Sequence, residues 1–163
     1  MLKHLKNFTP EEFESQKHPF SIKRLSTTIG AELLDIDLKK DLSQEEKDHI
    51  YDALLTYKVI FFRDQDLTTE EHLRFGKYFG ELEIHPFAPL GTNRDDHPEV
   101  LRITHDEDNK PKENAWHSDV TWRMEPSLGS ILRWLRPLLL EVIPCLQIWK
   151  LLTRIYLMKS KKN

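Results

Sequence analysis

The sequence changes character at Arg133, and that break limits what can be folded from it. Up to Arg133 the chain carries 18 Lys and Arg against 26 Asp and Glu; from Trp134 to Asn163 it carries 6 against 1. All five glycines and all eight histidines precede the break, and the one cysteine, Cys145, follows it. Glycine turns, and any histidine chemistry, are therefore confined to residues 1–133. We divide the chain accordingly into a folded region, 1–133, and a tail, 134–163. A total of 163 residues suits one domain with a substantial core and is too short for two.

The formal charge of −3 and pI near 6.2 give no basis for a nucleic-acid partner. A single cysteine excludes an internal disulfide framework and suits a reducing compartment. Met1–Lys6 is basic but lacks a following apolar run of roughly 7–15 residues, so no secretory signal is expected. The chain reads as cytoplasmic, without a membrane span.

Three helix starts are written into the first half. Thr9-Pro10-Glu11-Glu12 has an N-cap threonine, a proline at the first helical position and a glutamate three residues after the cap. Ser43-Gln44-Glu45-Glu46 and Thr68-Thr69-Glu70-Glu71 repeat the capping-box pattern. Ile50, Leu54 and Tyr57 extend the second helix to about residue 57, and Leu73, Phe75, Tyr78 and Phe79 form the apolar face of the third up to Gly80. Phe20–Leu25 alternates, and Ala31–Leu38 is apolar with acidic interruptions, so a hairpin around Gly30 is expected. Val59–Phe62 reads as a buried strand ending at the polar turn Arg63–Asp66. Beyond Pro86 and Pro89 come polar loops, a short strand Val100–Ile103, a charged loop 106–114, and strands at 116–122 and 128–133. The class is α+β, mainly β: helices first, then a mostly antiparallel sheet.

Trp116-His117-Ser118-Asp119-Val120-Thr121-Trp122 carries the candidate chemistry. In an extended strand, residues two apart project to one face, so His117 and Asp119 could grip a single cation. One histidine and one carboxylate are two-thirds of the facial triad that holds non-haem Fe(II) in oxygenases. The spacing alone leaves open a histidine hydrogen-bonded to a neighbour at a strand end. His97-Pro98-Glu99 and His105-Asp106-Glu107 show the same His-x-acid pattern.

Five ordered stretches resemble the taurine and 2,4-dichlorophenoxyacetate dioxygenases, a family of Fe(II)/2-oxoglutarate-dependent oxygenases. They are Ile29–Glu32, Val59–Gln65, Phe79–Leu82, Ile84–Pro86 and Trp116–Thr121. The resemblance covers residues 20–133 and implies a double-stranded β-helix, or jelly roll, of which this chain holds the first part. It implies that His117 and Asp119 are iron ligands and that 2-oxoglutarate is the cosubstrate. His85 matches the histidine that contacts an anionic substrate group; a plain loop histidine beside Pro86 is the alternative. Ala88 stands where taurine-using members carry tyrosine, which points towards a sulfonate, sulfate ester or other small organic acid rather than taurine itself.

After Arg133 the resemblance ends. The family continues through a Gly-Gly-Asp-Thr stretch and later supplies a second histidine ligand and an arginine for the cosubstrate carboxylate. Here no histidine follows His117. The expected cause is a frameshift. Glu141–Lys150 can be encoded as GAG GTG ATA CCT TGT TTG CAA ATA TGG AAG; regrouped one base earlier, the string encodes Gly-Gly-Asp-Thr-Leu-Phe-Ala-Asn-Met-Glu. The expectation is a C-terminally truncated, inactive oxygenase. The competing reading is a non-catalytic remnant or binding protein whose apolar tail, Leu138–Met158, lies on a membrane surface as a helix. Oligomeric state is not assigned by the sequence.

Overall fold

The computed structural model describes residues 8–84, 97–102, 123–134 and 153–157. They fall into two compact units, Met1–Phe79 with Leu128–Asn163, and Gly80–Ser127. The first holds all the regular elements. Its order is α1 (Pro10–Glu14), β1 (Ser21–Arg24), β2 (Ala31–Leu34), α2 (Gln44–Tyr57), β3 (Val59–Phe62), α3 (Thr69–Gly76), β4 (Gly129–Arg133) and β5 (Thr153–Leu157).

All three helices begin as their sequences require. Thr9, Ser43 and Thr68 each adopt extended backbone and accept a hydrogen bond from the amide three residues on, while Glu12, Glu46 and Glu71 reach back to the cap amides. Two of the amide donors orphaned at each start are satisfied in this way. Helix α2 ends when Lys58 turns left-handed, φ 67°, and its amide returns to the Leu54 carbonyl. That turn sends the chain directly into β3.

The sheet order is β1-β2-β3-β5-β4. Strands β1 and β2 form the expected antiparallel hairpin, with Arg24 opposite Ala31 and Ser21 opposite Leu34. Gly30 closes it at φ 90°, a conformation that favours glycine, and its amide donates to the Tyr57 carbonyl at 2.9 Å. The other three pairings, β2–β3, β3–β5 and β5–β4, are parallel. The expected mostly antiparallel sheet is therefore corrected. The cause is local: β2 reaches β3 through α2, and a strand–helix–strand crossover returns the chain in the same direction.

Two strand expectations are also corrected. Strand β2 stops at Leu34 rather than Leu38 because Asp35 turns left-handed, φ 62°. Val100–Arg102 is not strand; the Val100 amide bonds the His97 carbonyl at 3.1 Å in a turn with Pro98 at its second position, where a fixed φ is favoured. The strand expected at 128–133 is present as β4. That expected at 116–122 lies outside the described residues. In the second unit, Arg123 pairs with Glu83 at 2.5 Å.

The core sits on one face of the sheet. Ala31, Leu33, Ile60 and Phe62 point towards Phe13 of α1, Ile50, Ala53, Leu54 and Tyr57 of α2, and Phe75 of α3, with Ile131 packed against the cluster. Registers place Ile22, Leu33, Ile60 and Ile131 at positions of one face, and Lys23, Glu32, Phe61 and Leu132 at positions of the other. Among the described residues, no helix is long and apolar enough to cross a membrane. The tail's Thr153–Leu157 is a strand, so a helix over Leu138–Met158 does not extend through those residues.

Candidate functional site

Strands β2 and β3 and the turn after β3 carry two of the family-like stretches, and the side chains there are tied together. Glu32 is buried at 4% exposure on the face away from the helices. Arg63 donates to one of its carboxylate oxygens, and Lys23 lies 3.3 Å from the other. Burial pushes the Glu32 carboxyl up, but Arg63 and then Lys23 outweigh it and hold the group below the ordinary carboxylate range. A buried charge thus has two cationic partners, which burial requires.

Gln65, also buried, links two loops. Its Oε1 accepts from the Leu38 amide at 3.0 Å, and its Nε2 donates to the Ile36 and Arg63 carbonyls at 3.0 and 2.8 Å. From α3, the Arg74 guanidinium donates to the Leu38 and Lys39 carbonyls. The segment after β2 is consequently fixed from both sides. Arg63, Gln65 and Glu32 were visible in the sequence only as members of matching stretches. Their task is scaffolding, and a polar residue in a turn gave no sign of the carbonyls it would reach.

His72 on α3 is buried close to β4, beside Ile131 and Arg133, and its Nδ1 has no partner among the described residues. Burial, and secondarily the Arg133 charge, push its pKa down to about 4, against the opposing Ile131 bond. The imidazole is neutral at ordinary pH. His18 and His49 meet head-on, Nδ1 to Nδ1 at 2.9 Å, with their ring centroids 5.1 Å apart. The other nitrogen of His18 faces the Phe13 carbonyl at 2.6 Å. A carbonyl can only accept, so Nε2 of His18 donates to Phe13, and one of the two facing Nδ1 atoms donates to the other.

The residues expected to perform chemistry, His85, His117 and Asp119, lie outside the described residues. Among those described, no three His, Cys, Asp or Glu side chains stand together as a metal site. The donor types of His117 and Asp119 fit a ferrous ion, but they supply two of the three protein ligands that such a site uses.

A family sequence model, "Taurine catabolism dioxygenase TauD, TfdA family", matches residues 21–139. An alkylsulfatase of Acinetobacter baylyi is 36% identical over 113 residues, spanning 69% of this chain and 34% of that protein. An alpha-ketoglutarate-dependent sulfate ester dioxygenase of Pseudomonas putida is 34% identical over 127 residues, spanning 76% and 38%. The chain therefore spans little more than a third of the curated relatives it matches. Among solved structures, a taurine dioxygenase from Burkholderia xenovorans is 44% identical over 50% of this chain and 29% of its own, with a TM-score of 0.45.

Proposed function

The chain belongs to the taurine catabolism dioxygenase TauD, TfdA family, and from that membership we propose that it is the N-terminal part of an Fe(II)- and 2-oxoglutarate-dependent dioxygenase for a small organic acid. The observation that carries this reading is the match across residues 21–139, which takes in Trp116-His117-Ser118-Asp119-Val120-Thr121. Sulfate esters and sulfonates are the favoured substrates, since two relatives above 30% identity are named for alkyl sulfate or sulfate ester chemistry. When bound, the iron and cosubstrate supply the oxidative chemistry, and the protein orients them.

His117 and Asp119 hold the iron from one strand face, and His85 contacts the substrate anion. Residues 20–133 are the first part of a jelly roll, as the family membership implies. Residues 1–133 form the oxygenase part. Residues 134–163 are a tail read in another frame, which removes the second histidine ligand and the arginine for 2-oxoglutarate. The compartment is the cytoplasm, in keeping with the single cysteine. Loss of only an outer partner costs roughly 10–100-fold in metal affinity or activity, so loss of a direct ligand leaves this polypeptide inactive.

Sequencing the gene and restoring one base near codon 134 tests the proposal. The restored product is expected to release sulfate from an alkyl sulfate with stoichiometric consumption of 2-oxoglutarate. Codons that cannot be regrouped to a Gly-Gly-Asp-Thr continuation would remove the frameshift from the account. The other reading, a non-catalytic remnant with a membrane-surface tail, is disfavoured by strand β5 and separated by co-sedimentation of the chain with anionic liposomes.

A further inference from the structure

Strand β5 holds an unusual place. It comes last in the chain, beyond residue 139 where the family match ends, yet it fills the position between β3 and β4. Val59, Ile60, Phe61 and Phe62 pair along one side with Arg154, Ile155, Tyr156 and Leu157. Gly129, Ser130, Ile131, Leu132 and Arg133 pair along the other side with Thr153 through Leu157. Among the described residues, β5 is the one strand that β4 pairs with. Both flanking strands therefore satisfy a row of backbone donors and acceptors through a segment beyond the residues that the family model matches.

We propose that the space between β3 and β4 is a strand-accepting groove, and that the segment Thr153–Leu157 occupies it by β-augmentation. Recognition is mainly through the backbone, so the groove accepts an extended segment whose sequence was not selected for it. Two features define what fits. The segment must run parallel to both neighbours, and it must present apolar residues at the alternate positions in register with Ile60, Phe62 and Ile131. Ile155 and Leu157 stand at those positions. Residues 134–152 supply the long connection that a parallel return needs. Filling the groove also removes two open strand edges, which otherwise invite pairing with other chains. The proposal takes the foreign origin of the tail from the functional reading above, but its test does not depend on that origin.

The test uses the full chain with Cys145→Ser and a pair of introduced cysteines. Neighbouring strands lie about 4.8 Å apart, within disulfide range, so Ser130→Cys with Arg154→Cys is expected to cross-link under mild oxidation. Ser130→Cys with Tyr156→Cys, displaced by two residues, is not. Equal cross-linking of both pairs, or of neither, overturns the assigned register. In parallel, Ile155→Pro removes an amide from β5 and is expected to lower hydrogen-exchange protection in β4 roughly a hundredfold. A peptide of residues 150–160 added in trans restores that protection, and a scrambled peptide does not. Unchanged β4 protection in Ile155→Pro, or equal restoration by the scrambled peptide, contradicts the groove. If Ile155→Pro unfolds the chain, the cysteine pairs decide alone.

Discussion

Gly30 and His72 show how single side chains, or the lack of one, hold this unit together. At Gly30 an added Cβ would meet Leu25 and Phe61 at 3.6 and 3.7 Å, ordinary contact distances, so space is not the obstacle. The obstacle is φ of 90°. Gly30→Ala is expected to destabilise the chain by ~1–3 kcal/mol, read from denaturant midpoints. For His72 the sign of the pH effect follows from its pKa, about 4 folded against 6.5 unperturbed. Between those values the unfolded chain binds more protons than the folded one, so stability is present above pH 6.5 and falls as pH drops towards 4. The contribution is up to about 3 kcal/mol, and His72→Leu is expected to flatten the profile across that window. The sequence did not reveal the setting of His72: one histidine on an amphipathic helix looks like any other until β4 is seen beside it. Gly30 was legible because turn glycines sit between two apolar runs.

Elements were legible wherever a local pattern dictates them. Each capping box marks its helix start to the residue, since the side chains and amides that satisfy one another lie within four positions. Thr68→Ala is expected to cost about 1 kcal/mol, and Thr68→Gly only a few tenths, measured by thermal or denaturant unfolding. Strand direction was not legible in the same way. The alternation of β2, α2 and β3 already contained a parallel crossover, but the loop-rich second half suggested hairpins. The strand expected from Val100 onward is absent at Val100–Arg102, where the apolar residue types misled and the Pro98 turn decides the local path. Strand β5 could not be anticipated, since its pairing depends on β3 and β4, which are far away in sequence. The strand expected at 116–122, with His117 and Asp119, lies outside the described residues; its residue types are those an iron site uses.

At the scale of the molecule, the helices cover one face of a five-stranded sheet whose second face carries the buried Glu32 with Arg63 and Lys23. The family model matches residues 21–139, and the charge balance of the sequence reverses after Arg133. The central claim is that this polypeptide carries two iron-ligating side chains of an oxygenase and lacks the third. Oxygen uptake by the purified chain, supplied with ferrous ion, 2-oxoglutarate and an alkyl sulfate, tests it most directly. The expected rate equals that of the His117→Ala variant and of buffer alone. Uptake that requires 2-oxoglutarate and disappears in His117→Ala would contradict the claim.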